Sequence, residues 1–257
     1  MTTKIAFNTA NLVGRVTGYR FELKNWGQQD KMTVAQTDET AWRAICGEIA
    51  AAGFTAVEIW KAHADPSVMD APRLRTWKQI LADHGLEPIG YAAGYTADAV
   101  RVCESLDIPA INGGFWGSPP LAEIERLARH SGIRANYENH PEKSAAEVLA
   151  KIGGGSDMIG VTVDTGWFAT HGADVAAVVK ALGPLVRHLH VKDVKANTHQ
   201  TCPLGTGAAA LPQVIAHLKS TGYTGWYSWE DEPEDRNPMD IAADSHAWIT
   251  RQLGGQR

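Results

Sequence analysis

Several things are scarce in this sequence. Its 257 residues include only three cysteines, Cys46, Cys103 and Cys202. They are widely separated and odd in number, so neither a disulfide framework nor a CxxC zinc site is indicated. No block of Lys and Arg occurs and the formal net charge is −5, so nucleic acid is a poor partner and none is expected, because that binding rests on neutralising phosphates. No run approaches the roughly 18 consecutive apolar residues that a membrane-spanning helix needs. The opening MTTKIAFNTANL lacks a basic stretch followed by a long apolar one, so no membrane partner is expected and the chain reads as cytoplasmic. No Gly-x-Gly-x-x-Gly follows the first strand candidate, which argues against a dinucleotide site.

What is present is an ordinary globular composition, 44% hydrophobic and 21% charged, able to bury a sizeable core. Cys46 and Cys103 sit in amphipathic patterns and are assigned to that core, and Cys202, in a loop, is given no role. Eight short apolar runs alternate with segments of helical period: KIAFNTA, TAVEIW, EPIGYAA, PAINGGF, IRANYEN, MIGVTVD, VRHLHVK and GWYSWED. Most of the intervening helical segments end in Gly, and several open with Asp, Ser or Thr as cap. Eight strand–helix units in a chain of this length predict the α/β class and a single (β/α)8 TIM barrel over 1–257, since that architecture takes about 250 residues. The competing arrangement, an open doubly wound sheet, requires no fixed count of eight.

Two stretches exceed ordinary loops. Residues 11–37 follow the first strand and mix aromatics with polar residues, and residues 194–210 follow the seventh. In a barrel, long loops after strands line the active face.

The late strands each end in a residue of metal-ligand type. NYENH supplies Glu138, VTVDTG supplies Asp164, HLHVKD supplies His190 and YSWEDE supplies Glu230. Each interval is one strand–helix unit, the last lengthened by the loop just noted. Residues at equivalent heights on parallel strands meet at the C-terminal mouth. Three carboxylates there would repel one another, and a divalent cation removes the conflict. One imidazole with three carboxylates is a hard set, suited to Mn2+ above all, with Mg2+, Co2+ or Zn2+ as alternatives. A strand-end Asp can instead cap the following helix, but capping does not account for Glu138 and Glu230.

The ordered set YENHPE, VDTGWFATHGAD, HLHVKDV, GTG and WEDE, with TAVEIW on the second strand, resembles the sugar phosphate isomerase/epimerase family, the xylose-isomerase-like TIM barrels, over nearly the whole chain. Members include ketose 3-epimerases, hydroxypyruvate isomerases, inosose dehydratases and the metal subunits of C-glycoside deglycosidases, with endonuclease IV as a relative. The resemblance implies metal ligation by Glu138, Asp164, His190 and Glu230, with Glu138 and Glu230 doubling as the acid–base pair. A cation would polarise a sugar carbonyl while a positioned base takes the neighbouring proton. His140, two residues after Glu138, is a further candidate base.

Other positions are expected to contact substrate: Lys61 and His63 after VEIW, Lys192 and Asp193 beyond His190, and Trp167. Many ketose epimerases carry a His where Trp167 stands; a Trp accepts no proton but can stack on a sugar or an aromatic aglycone. Trp116 and Trp229 also lie near strand ends, in positions that suit sugar stacking or rim packing equally. His171 reads as a surface histidine. Glu58 is expected to support a ligand rather than be one. His188 is read with the opposite parity to His190 and is expected to pack against a helix.

The expected activity is removal of a proton α to the carbonyl of a keto-sugar or keto-polyol. Expulsion of a β-leaving group, lyase chemistry, is favoured because of Trp167; reprotonation, giving an isomerase or epimerase, is the alternative. Endonuclease IV-like phosphodiester cleavage fits poorly with the acidic charge and single metal set. The expected partner is a small sugar or glycoside, together with a homo-oligomer or a small second subunit.

Overall fold

All eight apolar runs form strands: β1 (Ile5–Asn8), β2 (Ala56–Trp60), β3 (Glu87–Ala92), β4 (Ala110–Gly113), β5 (Arg134–Glu138), β6 (Ile159–Asp164), β7 (Val186–Val191) and β8 (Trp226–Trp229). In the computed structural model, which describes residues 4–254, they pair in parallel and in sequence order, and β8 closes on β1. Between and after them lie α1 (Trp26–Gln36), α2 (Glu39–Ala51), α3 (Ala71–Asp83), α4 (Ala97–Leu106), α5 (Leu121–Ser131), α6 (Ala145–Lys151), α7 (Thr165–Thr170), α8 (Val175–Leu182), α9 (Leu211–Ser220) and α10 (Ala242–Gln252). Among the described residues no helix is long and apolar enough to cross a membrane.

Local chemistry sets the helix starts. The Ala41 N–H donates to the Asp38 carboxylate at 2.8 Å, Arg73 N–H to Asp70 at 2.8 Å and Ala177 N–H to Asp174 at 3.0 Å. Ser and Thr do the same for α6 and α4 through Ser144 and Thr96. Each satisfies a backbone donor that the first helical turn leaves free.

The apolar core lies outside the sheet. Phe7, Val57, Ile59, Ile111, Tyr137, Val161, Val163, Leu189, Val191 and Trp229 are buried against the helix layer, where Trp42, Ile45, Ile49, Trp77 and Ile80 meet them. Each such side chain contributes about 1.5–3 kcal/mol when fully withdrawn from water. Cys46 and Cys103 belong to this core, as expected.

The alternate strand positions point into the barrel and are mostly polar: Asn8, Glu58, Asn112, Asn136, Glu138, Thr162, Asp164, His188, His190 and Ser228, all buried. The period of two along a strand separates the two sets. β2 and β7 are not neighbours in the sheet, so the hydrogen bonds that Glu58 accepts from His188 and His190 must cross the lumen. Gly90 in β3 is required here, because a Cβ at that position would stand 2.3 Å from Asn112 Nδ2 and 3.2 Å from Glu58 Oε1.

The stretch 11–37 is not a plain loop. After 3-10 turns at Arg15–Thr17 and Leu23–Asn25 it forms α1. That helix buries only Gln29 and Thr33, so its sequence carries no apolar stripe by which to detect it. Residues 194–210 contain no helix, and one isolated bridge joins Val194 to Thr201.

Candidate metal centre

Strand ends bring the ligand-type residues to the C-terminal mouth. Glu138 and Asp164 are the last residues of β5 and β6, His190 is the penultimate residue of β7, and Glu230 directly follows β8. Asp164 and His190 are register partners. Neighbouring side chains fix these ends to one another. The Asp164 N–H donates to Asn139 Oδ1 at 2.7 Å, and Lys192 N–H donates to Thr165 Oγ1 at 3.0 Å. Asp231 N–H donates to Asn11 Oδ1 at 2.7 Å, which holds the end of β8 against the loop after β1.

Three groups of ligand atoms form among the described residues, each with its members within 4.8 Å of one another: Glu138, His190 and Glu230; Glu138, His140 and Asp164; and Glu58, His188 and His190. Glu138 belongs to the first two. His190 Nδ1 lies 2.7 Å from Glu138 Oε1 and 3.5 Å from Glu230 Oε2, while its Nε2 lies 3.1 Å from Glu58 Oε2. Glu58 therefore fixes the ring from behind and leaves Nδ1 facing the two glutamates. Asn8 Nδ2 donates to Glu230 Oε1 at 2.9 Å. Asp164 Oδ1 caps α7 by accepting from Trp167 N–H at 3.0 Å, and its Oδ2 is buried without a hydrogen-bond partner. Capping and ligation thus use different oxygens of one carboxylate. Three buried carboxylates, one of them with an oxygen that accepts no hydrogen bond, and an imidazole held by its far nitrogen make a donor set that fits a divalent cation.

The local charges are strongly coupled. Burial opposes ionisation of Glu138, but the charges of His140 and His190 outweigh it and hold the carboxyl down at about 2. Burial pushes Glu230 up to about 8, against His190 and Lys192 and with help from Glu232 and Asp164. Burial likewise works against the charge on His140, yet Glu138 and Asp164 raise it to about 10. Lys192 holds its proton well above the usual range in spite of burial, because Asp164, Glu230 and Glu232 surround it. Its Nζ lies 3.6 Å from Asp164, 3.5 Å from Glu230 and 2.5 Å from Glu232.

Above this floor opens a cavity of about 520 Å³. Its walls include Trp26, Trp60, Trp116 and Trp167, with Lys61 and Asp30 at one side. Lys61 pairs with Asp30 at 3.2 Å and Asp65 at 2.8 Å. Trp167 is wedged among His140, His171 and His199, with ring centroids 4.4, 4.8 and 5.5 Å away. Its Nε1 donates to the Glu142 carbonyl at 3.0 Å, which fixes the indole plane. Trp116 is 59% exposed at the rim, whereas Trp229 is core, packed on Phe7 and Phe54.

Three expectations need correction. His188 does not face a helix: positions two apart on a strand share a face, so it points into the lumen with His190, and its Nε2 lies 2.8 Å from Glu58. His63 is outside the cavity wall, buried beside Trp42 and Trp60 with Nδ1 3.0 Å from Thr9 Oγ1. Asp193 is also outside it. Its carboxylate instead accepts the N–H groups of Val194, Gly205, Gly207 and Ala209 at 3.1, 2.9, 3.0 and 3.1 Å. Gly207 is needed for that approach, since a Cβ there would stand 2.3 Å from Asp193 Oδ1.

Sequence reading missed Glu232, Asn8, Asp30 and the tryptophans at 26 and 60. Asn8 ends β1 as Asp164 ends β6, so the strand-end rule reaches it. Asp30 and Trp26 lie on the unrecognised α1, and no signal marked them.

Comparison with known proteins agrees with this architecture. A Streptomyces coelicolor protein that carries a provisional hydroxypyruvate isomerase name is 24% identical over 251 residues, covering 78% of this chain and 87% of its own. An inosose dehydratase of Bacillus cereus is 23% identical over 159 residues, and the alignment spans about half of each chain, 52% of this one and 53% of the dehydratase. The solved structure of an L-ribulose 3-epimerase superimposes with a TM-score of 0.72 at 19% identity, over 98% of this chain and 95% of the epimerase, a likeness of fold. Residues 46–252 match the profile of the xylose isomerase-like TIM barrel, and the chain belongs to that family.

Proposed function

We propose that this protein is a divalent-metal-dependent lyase that removes the proton α to the carbonyl of a keto-sugar or keto-polyol and expels a β-leaving group. The observation that carries the reading is the convergence of Glu138, Asp164, His190 and Glu230 at the floor of a tryptophan-walled cavity. A divalent cation held by these four, Mn2+ in first place, supplies polarisation of the carbonyl and so acidifies the adjacent C–H.

The chain's own groups divide the proton work. Glu138, kept ionised by His140 and His190, is the base. Glu230, on the other side of His190 and 3.5 Å from Lys192 Nζ, is the partner that passes a proton to the departing group. His140, 3.5 Å from Glu138 and 3.4 Å from Asp164, holds a proton between them and can pass one to either. Lys192 anchors a substrate oxygen beside Glu230, and Lys61 binds a hydroxyl at the other wall. Trp167, with Trp26, Trp60 and Trp116, offers stacking faces for a ring, which supports a glycoside or cyclic polyol over an open-chain ketose.

The relatives named as inosose dehydratase and hydroxypyruvate isomerase bracket the two outcomes of one deprotonation. Reprotonation would give the isomerase or epimerase. Proton NMR in D2O with Mg2+-loaded enzyme and a panel of ketoses, inososes and 3-keto-glycosides decides. Loss of one α C–H signal with a new vinyl signal is expected. Exchange without a vinyl signal overturns the lyase reading, and no exchange with any substrate despite bound metal overturns carbon-acid chemistry.

A further inference from the structure

The opposite, N-terminal mouth of the barrel is also open. A cavity of about 760 Å³ enters between the starts of β4, β5, β7 and β8 and the turns that precede β7 and β8. Arg134 and Asn136 share the inward face of β5 with Glu138, so consecutive inward positions of one strand run from this mouth toward the metal centre. The cavity wall contains Lys4, Arg134, Arg187 and His217 and no Asp or Glu. In a chain with 29 acidic residues, that exclusion is local.

These cations are not neutralised nearby. Lys4 Nζ donates to the Thr224 carbonyl at 2.9 Å, and Arg187 donates to the carbonyls of Asp157 and Ser156. The Asp157 carboxylate itself is committed to Arg129 at 2.5 Å. Among the described residues none of Lys4, Arg134 and Arg187 forms an ion pair. The inner end carries two unpartnered polar atoms, the donor Asn112 Nδ2 and the acceptor Asn136 Oδ1, on side chains buried to 0% and 3% exposure. The two amides pair with each other, Asn136 Nδ2 donating to Asn112 Oδ1 at 2.8 Å, so each keeps one polar atom free where buried polar groups ordinarily find partners.

We infer that this cavity binds a small oxyanion-bearing metabolite, phosphorylated or polycarboxylated, with Lys4, Arg134 and Arg187 on the anion and the paired amides of Asn112 and Asn136 lining its inner end. The site is separate from the candidate metal centre, although its inner end abuts His188, which bonds the same Glu58 that holds His190.

Calorimetric titration of the metal-loaded protein at low ionic strength tests this, with inorganic phosphate and tricarballylate as probes and chloride as control. One-to-one binding of at least one probe is expected, and the preferred probe identifies the anion. Removing charge-assisted hydrogen bonds in the Lys4→Ala/Arg134→Ala double variant should weaken it by about tenfold or more. Arg134→Lys should recover part of the affinity, and Lys192→Ala, on the far face, should leave it unchanged. Absence of binding below about 10 mM, where affinity is only a few kcal/mol, overturns the proposal. So does equal affinity in the double variant, or loss of binding in Lys192→Ala.

Discussion

Asp193→Asn should open the loop 194–210 without unfolding the barrel. The wild-type carboxylate is 1% exposed and accepts two backbone N–H groups on each oxygen, Val194 and Ala209 on Oδ1 and Gly205 and Gly207 on Oδ2. An amide keeps one acceptor. Whichever way it turns, its NH2 faces two N–H donors, and each donor left unsatisfied costs about 1–3 kcal/mol. The loss is therefore about 2–6 kcal/mol, limited by the ease with which the loop swings out to water instead. Amide hydrogen exchange resolves the two outcomes. A local loss of about 2 kcal/mol appears as roughly 30-fold faster exchange at Gly205, Gly207 and Ala209 while β7 keeps its protection. Unchanged exchange at these amides, or an equal loss of protection throughout β7, would refute the reasoning.

Two further predictions follow from buried groups. Glu58→Gln should weaken Mn2+ binding about 10–100-fold, because the carboxylate that orients His190 from its Nε2 side is replaced by a neutral amide; manganese titration followed by electron paramagnetic resonance measures it, and unaltered affinity would show that packing alone orients the ring. His63 is held neutral mainly by burial, with Arg15 adding to the effect, at a pKa lowered from 6.5 to about 3. The unfolded chain takes up that proton first, so stability is lost as pH falls below about 6.5, by about 2 kcal/mol between pH 7 and 5. Urea unfolding at both pH values should show a smaller drop in His63→Gln than in the wild type; equal drops would sink the assignment.

The barrel was legible because chemistry and period coincide in its strands. Runs such as GVTVD and HLHV alternate residues that want helices with residues that want water or metal, and their even spacing leaves little but a closed parallel sheet. The metal-type set was legible for the same reason, since each member stands at a strand end. What escaped has physical causes too. The polar α1 is held by its neighbours rather than by an apolar stripe, so its contributions of Trp26 and Asp30 carried no periodic mark. Asp193 and His63 have the composition of site residues, and only packing shows that one organises a loop and the other fills the space between tryptophans. His188 was misplaced through parity alone, and counting by two along VRHLHV puts it in the lumen.

The division of each strand into a greasy outer face and a polar inner face governs how such a chain can diversify. A single inserted or deleted residue within β5 or β7 would exchange the two faces and bring Tyr137 or Leu189 into the lumen in place of Glu138 or His190. Length changes are therefore barred from the strands and left to the segments between them, such as 11–37 and 194–210, whose own buried anchors, Leu12, Val13, Leu204 and Ala209, leave the stretches between those anchors free to vary. Rewriting those stretches would reshape the cavity wall without shifting the inward register that sets Glu138 and His190 at the mouth.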